Sequence, residues 1–212
     1  VEDSKPAAEQ MGLSDQGKAI IRKMNELGML VDLSHASKKT FYDVLEVSTK
    51  PVLVSHSNAA ALTPHSRNLD DAQLAALKKN GGVIGVNFYS GFLDTAFESR
   101  IHDLYDNHFG KPTEILSASR KYHKLPKELK FQADVKLDLL LHHIDYLVSK
   151  VGINHVAIGS DYDGIESTPQ YLEDVSKFPI LTKSLLERGY KKEDIAKIMG
   201  LNFLRIMKEN EK

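Results

Sequence analysis

Met29-Leu-Val-Asp-Leu-Ser-His35, Pro51-Val-Leu-Val-Ser-His56-Ser57 and His155-Val-Ala-Ile-Gly-Ser-Asp161 follow one pattern: a short apolar run that ends on side chains able to do chemistry. Each run is too short for a helix and nearly continuous in its apolar content, as a strand is when both its faces are covered. A further run, Gly82-Val-Ile-Gly-Val-Asn-Phe88, has the same character and leads into Tyr89. Helical patterns separate the runs. Ser14 and Gly28 bracket one whose apolar side is Ile20, Ile21, Met24 and Leu27. Others are expected over Lys38–Val47, Asp70–Lys79 and Val135–Val151, and at the end of the chain over Pro179–Arg188, Lys192–Met199 and Asn202–Lys208.

Strands alternating with helices imply βαβ units and a parallel sheet. Four parallel strands with flanking helices are legible, whereas a (β/α)8 barrel has eight and typically about 250 residues. A four-stranded parallel sheet on its own leaves two apolar edges unpaired. The expectation is therefore an α/β fold that forms the second half of a TIM-type barrel over residues 14–212. Residues 1–13 read as a tail or connection, and about 89–133 as an excursion at the barrel's mouth or side.

Composition narrows the function. The 212 residues carry 28 Lys+Arg against 29 Asp+Glu, a net charge of -1, so neither nucleic acid nor an anionic membrane surface is an expected partner. The absence of Cys removes disulfides, thiolate metal sites and cysteine nucleophiles. No run approaches the ~18–20 apolar residues of a transmembrane segment. The start, Val1-Glu-Asp-Ser-Lys-Pro6, has neither an initiator Met nor a signal sequence, so the natural N-terminus is expected to be missing. The compartment stays open between cytoplasmic and exported.

In parallel α/β proteins the ligand site lies at the carboxyl ends of the strands, so the polar residues found there are the candidates. His35 and His56 would reach one rim from neighbouring strands, a common way to offer two imidazoles to Zn²⁺. Asp161 would arrive from a third, as a ligand or as the group that accepts a water's proton. Arg67, in the loop after His56, reads either as a surface residue paired with Asp70 or Asp71 or as a clamp for a substrate carboxylate. His142-His143 lies mid-helix and reads as a packing and surface pair. Asp161-Tyr-Asp163-Gly164 lacks the further oxygen ligands of an EF-hand, and Gly81-Gly82 lacks a phosphate-loop context.

These segments, with Ser66-Arg67-Asn68, Gly81–Tyr89, Ile158–Gly164 and Gly200-Leu-Asn-Phe-Leu-Arg205, resemble the membrane (renal) dipeptidase family of zinc peptidases, in order from about Gly12 to Lys208. The resemblance implies a metal-dependent barrel of the amidohydrolase type that hydrolyses dipeptides, with two zinc ions bridged by a carboxylate and a water. By the same resemblance His35 and His56 would hold one zinc. Asp161 would move the proton of the bridging water to the leaving amine, and Arg67 would bind the dipeptide's free carboxylate. Phe92 stands where animal members carry a substrate-contacting Tyr, so carboxylate binding would lean more on Arg67.

One departure is large. The family's first-strand His-x-Asp motif, bridging Glu and further active-site His belong to the N-terminal half, and none of them, nor any His-x-Asp, is expected in this chain. Two His ligands fall short of the three or four that hold zinc. We therefore expect the other barrel half, or a homo-oligomer partner, to complete the site, and the chain alone to be inactive. Two other functions are compatible with the residues. One is a catalytically inactive barrel that binds a ligand or partner, and the other is a related amidohydrolase acting on another amide or a lactone.

Overall fold

The computed structural model describes residues 11–212, so the first ten residues of the expected tail lie outside the described part. The chain opens with α1 (Asp15–Leu27), capped by the Ser14 side chain at one end and by left-handed Gly28 (φ 75°) at the other, as the sequence suggests. Then follow α2 (Lys38–Val47), β1 (Leu53–Ser57), α3 (Asp71–Asn80) and β2 (Val83–Val86). The excursion holds α4 (Ser90–Leu93), α5 (Phe97–Phe109), α6 (Ala118–Lys124) and α7 (Lys127–Ala133). After it come α8 (Leu137–Val151), β3 (Val156–Ile158), α9 (Phe178–Glu187), α10 (Lys192–Ala196) and α11 (Asn202–Asn210).

The sheet is parallel, in the order β1-β2-β3. It has three strands where the sequence suggested four. The missing one, residues 29–33, does run beside β1: Leu33 N–H donates to Leu53 C=O at 2.8 Å and Leu53 N–H to Val31 C=O at 2.9 Å. Only one bridge forms, Asp32 to Leu53. The ladder stops because the chain turns at once, Ala36 N–H reaching back to Leu33 C=O, and because the Asp32 carboxylate captures the next strand amide, that of Ser55.

Alternation along the strands buries both faces. Val54, Ile84 and Val156 join the main core with Leu74 and Leu77 of α3 and Leu140, Ile144 and Leu147 of α8. Leu53, Val83 and Ala157 pack on the other side against Ile206 of α11. The C-terminal motif seen in the sequence is structural. Asn202 donates to the carbonyls of Ile153 and Val156, and Arg205 to those of Gly81 and Asn154, tying α11 across the amino-terminal ends of β2 and β3. The excursion builds a small core of its own around Phe97, Ile101, Tyr105 and Tyr122.

The pair His142-His143 divides as the helix pattern requires. His142 is on the surface, and His143 is 1% exposed. The Nδ1 atom of His143 accepts the Ala59 N–H at 3.3 Å and its Nε2 faces Thr63 Oγ1 at 3.4 Å, so α8 anchors the loop that carries Arg67. Burial lowers its pKa from 6.5 to about 4. A histidine kept neutral in the fold contributes stability in full above its unfolded value, and that stability is lost as the pH falls toward the folded one. His143→Asn keeps an acceptor for Ala59 and removes the titration. Urea unfolding at neutral and mildly acidic pH is expected to show wild type losing roughly 2 kcal/mol more than this variant on acidification. Equal losses would mean that His143 is not held neutral.

Candidate active site

His35, His56, Arg67, Phe92 and Asp161 line one cleft of about 440 Å³, together with Tyr89 and Glu166. The backbone explains how they get there. On β1 the three steps from Val54 to Ser57 match the two from Ile84 to Val86 on β2, so one residue is extra and the strand bulges at Ser55-His56. The bulge presses the Ser55 carbonyl onto its neighbours, where only glycine leaves room: a Cβ on Gly85 would stand 2.1 Å from that oxygen and one on Gly159 1.8 Å. His56 is thereby turned toward His35.

His35 and Asp161 both adopt left-handed backbone, φ 68° and 62°, which is uncommon for residues with a Cβ. Strain of this kind clusters where a side chain must be aimed. The two imidazoles meet edge to face with Nε2 atoms 3.0 Å apart. Two nitrogens on one tetrahedral zinc, at ~2.0–2.1 Å each, lie ~3.3 Å apart, so the pair already has nearly that spacing. Burial holds His56 below the usual histidine range. Arg67 and His35 add to that push, while Asp161 and Asp32 oppose it. A neutral ring is the form that binds a metal. The donor set thus fits half of a zinc site. Among the described residues no group of three or more His, Cys, Asp or Glu is gathered for a metal.

Asp161 is placed by two residues. Asn87, fully buried at the end of β2, donates from Nδ2 to Asp161 Oδ2 at 3.1 Å. The tight turn Asp161–Gly164 brings the carboxylate over Gly164, where a Cβ would stand 2.5 Å from Oδ1. Arg67 is held through its backbone: its carbonyl accepts the Ser57 hydroxyl at 2.6 Å and its N–H donates to His65 Nδ1. Its guanidinium lies 5.4 Å from the ring centre of Phe92, which is largely buried and also packs on His65. Asp70 and Asp71, the carboxylates near Arg67 in sequence, pair with Lys38 and Lys150.

One His-x-Asp triplet does occur, His143-Ile-Asp145, but it is helical. His143 is in the core and Asp145 pairs with Arg188 and Tyr190. The residues that sequence reasoning passed over are Asn87, Tyr89, Glu166, Asp32 and Ser55. Tyr89 O–H donates to Glu166 Oε1 at 3.4 Å, and burial, with carboxylates nearby, pushes its phenol up. Position offered a signal for two of them: Asn87 and Tyr89 end a strand as His56 and Asp161 do.

Comparison with known proteins finds one family and several similar dipeptidases. The family described as membrane dipeptidase (peptidase family M19) matches residues 1–212. A dipeptidase of Claviceps purpurea, tcpJ, is 36% identical over 94% of the chain, and an uncharacterized dipeptidase of Schizosaccharomyces pombe is 39% identical over 94%. The chain spans only 39% and 40% of their lengths. Among solved structures, a metallopeptidase of Rhodobacter sphaeroides, liganded with a phosphinate mimic of the dipeptide L-Ala-D-Ala, superposes with a TM-score of 0.74 at 30% identity. The match covers 94% of this chain and 47% of that one. The probable dipeptidase PvdM of Pseudomonas aeruginosa gives 0.75 at 31% identity, over 94% and 55%.

The glycine contacts yield a direct check. Gly159→Ala must displace the Ser55 backbone, and is expected to lower unfolding stability by about 1–3 kcal/mol. A variant as stable as wild type in urea would show that the bulge is not held by this clearance.

Proposed function

The chain belongs to the membrane dipeptidase family, and on that premise we propose that it supplies half of the active site of a zinc-dependent dipeptidase built on a (β/α)8 barrel. The observation that carries this is the approach of His35 Nε2 to His56 Nε2, 3.0 Å apart, in the same cleft as Arg67 and Asp161. His35 and His56 would hold one zinc. When bound, zinc lowers the pKa of a water and polarises a scissile carbonyl, without a covalent enzyme intermediate.

The chain's own residues do the rest. Arg67 receives the free carboxylate of the dipeptide with the paired N–H geometry that suits it, and Phe92 backs the guanidinium. The carboxylate of Asp161, steadied through Oδ2 by Asn87, takes the proton of the attacking water on Oδ1 and returns it to the leaving amine. Tyr89 and Glu166 close the cleft beside them.

The remaining ligands, in the family's pattern a His-x-Asp pair and a Glu that would bridge to a second zinc, would come from residues outside this chain. Three observations support this: among the described residues two imidazoles converge and no third joins them, β3 has no strand on its outer side, and Ile20, Leu27, Met29 and Leu204 are half or more exposed. The barrel's other half, or a second copy of the chain, would cover these surfaces and complete the sheet.

The test is hydrolysis of L-Ala-D-Ala and L-Ala-L-Ala by the full-length gene product with added Zn²⁺. Asp161→Asn is expected to lower kcat by ~10²–10⁴-fold. Arg67→Ala is expected to act mainly on KM, and a C-terminally amidated dipeptide to be a poor substrate. Rates unchanged by His56→Ala or Asp161→Asn would end this reading.

A further inference from the structure

His56 is tied from behind. Its Nδ1 lies 2.7 Å from Ser55 Oγ, and that oxygen lies 2.5 Å from Asp32 Oδ2. A carboxylate offers acceptors only, so the Ser55 hydroxyl donates to Asp32. A hydroxyl has one hydrogen. With that hydrogen committed, Oγ can only accept from the imidazole, so His56 carries its proton on Nδ1. The Nε2 lone pair then points at His35.

Asp32 is itself fixed. Its Oδ1 accepts the backbone N–H of Ser34 and that of Ser55, both at 3.0 Å, and its backbone bridges to Leu53. The backbone of His56 is locked to the same turn, its N–H donating to Ser34 Oγ at 2.9 Å. We propose that Asp32, acting through the Ser55 hydroxyl, is a positioning residue that sets His56 in the Nδ1–H tautomer and so presents Nε2 as a ready metal donor. Only the last clause rests on the reading of His35 and His56 as a metal pair; the tautomer follows from the hydrogen bonds alone.

Asp32→Asn separates this role from mere structure. Its Oδ1 still accepts the two backbone amides, but an amide nitrogen in place of Oδ2 must donate to Ser55 Oγ. The Ser55 hydroxyl then gives its hydrogen to His56 Nδ1, and the ring proton moves to Nε2, where it blocks the ligand lone pair. Long-range ¹H–¹⁵N spectra of the metal-free full-length protein, recorded above the histidine range, read the tautomer directly. Wild type is expected as Nδ1–H and Asp32→Asn as Nε2–H.

Titration with Co²⁺ alone supplies the second readout. Asp32→Asn and Ser55→Ala are expected to bind ~10–100-fold more weakly, and Ser55→Thr, which keeps the hydroxyl, within about threefold of wild type. If Asp32→Asn does not fold, the Ser55 pair decides. An unchanged tautomer in Asp32→Asn, or a Ser55→Ala that binds as tightly as Ser55→Thr, overturns the proposal. If His35→Ala and His56→Ala leave Co²⁺ binding unchanged, the metal-pair reading is what fails, and the spectra still decide the role of Asp32.

Discussion

Two ring nitrogens held 3.0 Å apart need something positive between them, a shared proton or a metal ion. The fold spends its irregularities on creating that demand. His35 sits in left-handed backbone, β1 carries an extra residue just before His56, and two glycines on the neighbouring strands make room for it. The proposed metal ion between the two rings rests on these features.

The same rim shows how the sheet divides its labour. On the core side, apolar residues alternate along the strands and pack against α3 and α8. At the carboxyl ends the ladder gives way to side-chain hydrogen bonds: Asp32 to Ser55, Asn87 to Asp161, Asn68 to the carbonyls of Thr63 and Phe92. Of these, the Asp32 carboxylate takes a strand amide that a neighbouring carbonyl would otherwise accept. At the opposite ends of the strands Asn202 and Arg205 perform the corresponding structural task, closing carbonyls that no helix or strand would otherwise satisfy.

Much of this was legible from the letters. Helix α2 spans the Lys38–Val47 expected of it, and the polar residues ending the apolar runs do converge. What the letters hid depends on geometry without a local pattern. The segment 29–33 reads as a strand because its composition is that of one, yet a single carboxylate, Asp32, diverts its partner's amide and ends the ladder after one bridge. Likewise Gly85 and Gly159 look like ordinary strand glycines until the Ser55 carbonyl is seen against them. Arg67 was ambiguous in sequence because Asp70 and Asp71 are near in number; in space both are taken by lysines from other elements.

The central claim is that His35 and His56 grip one ion between them. Anomalous scattering at the zinc edge, from crystals of the full-length protein grown with Zn²⁺, tests it without reference to turnover. The account predicts a peak ~2.0–2.1 Å from the Nε2 atoms of both residues. Zinc found only elsewhere, or touching neither ring, would contradict it.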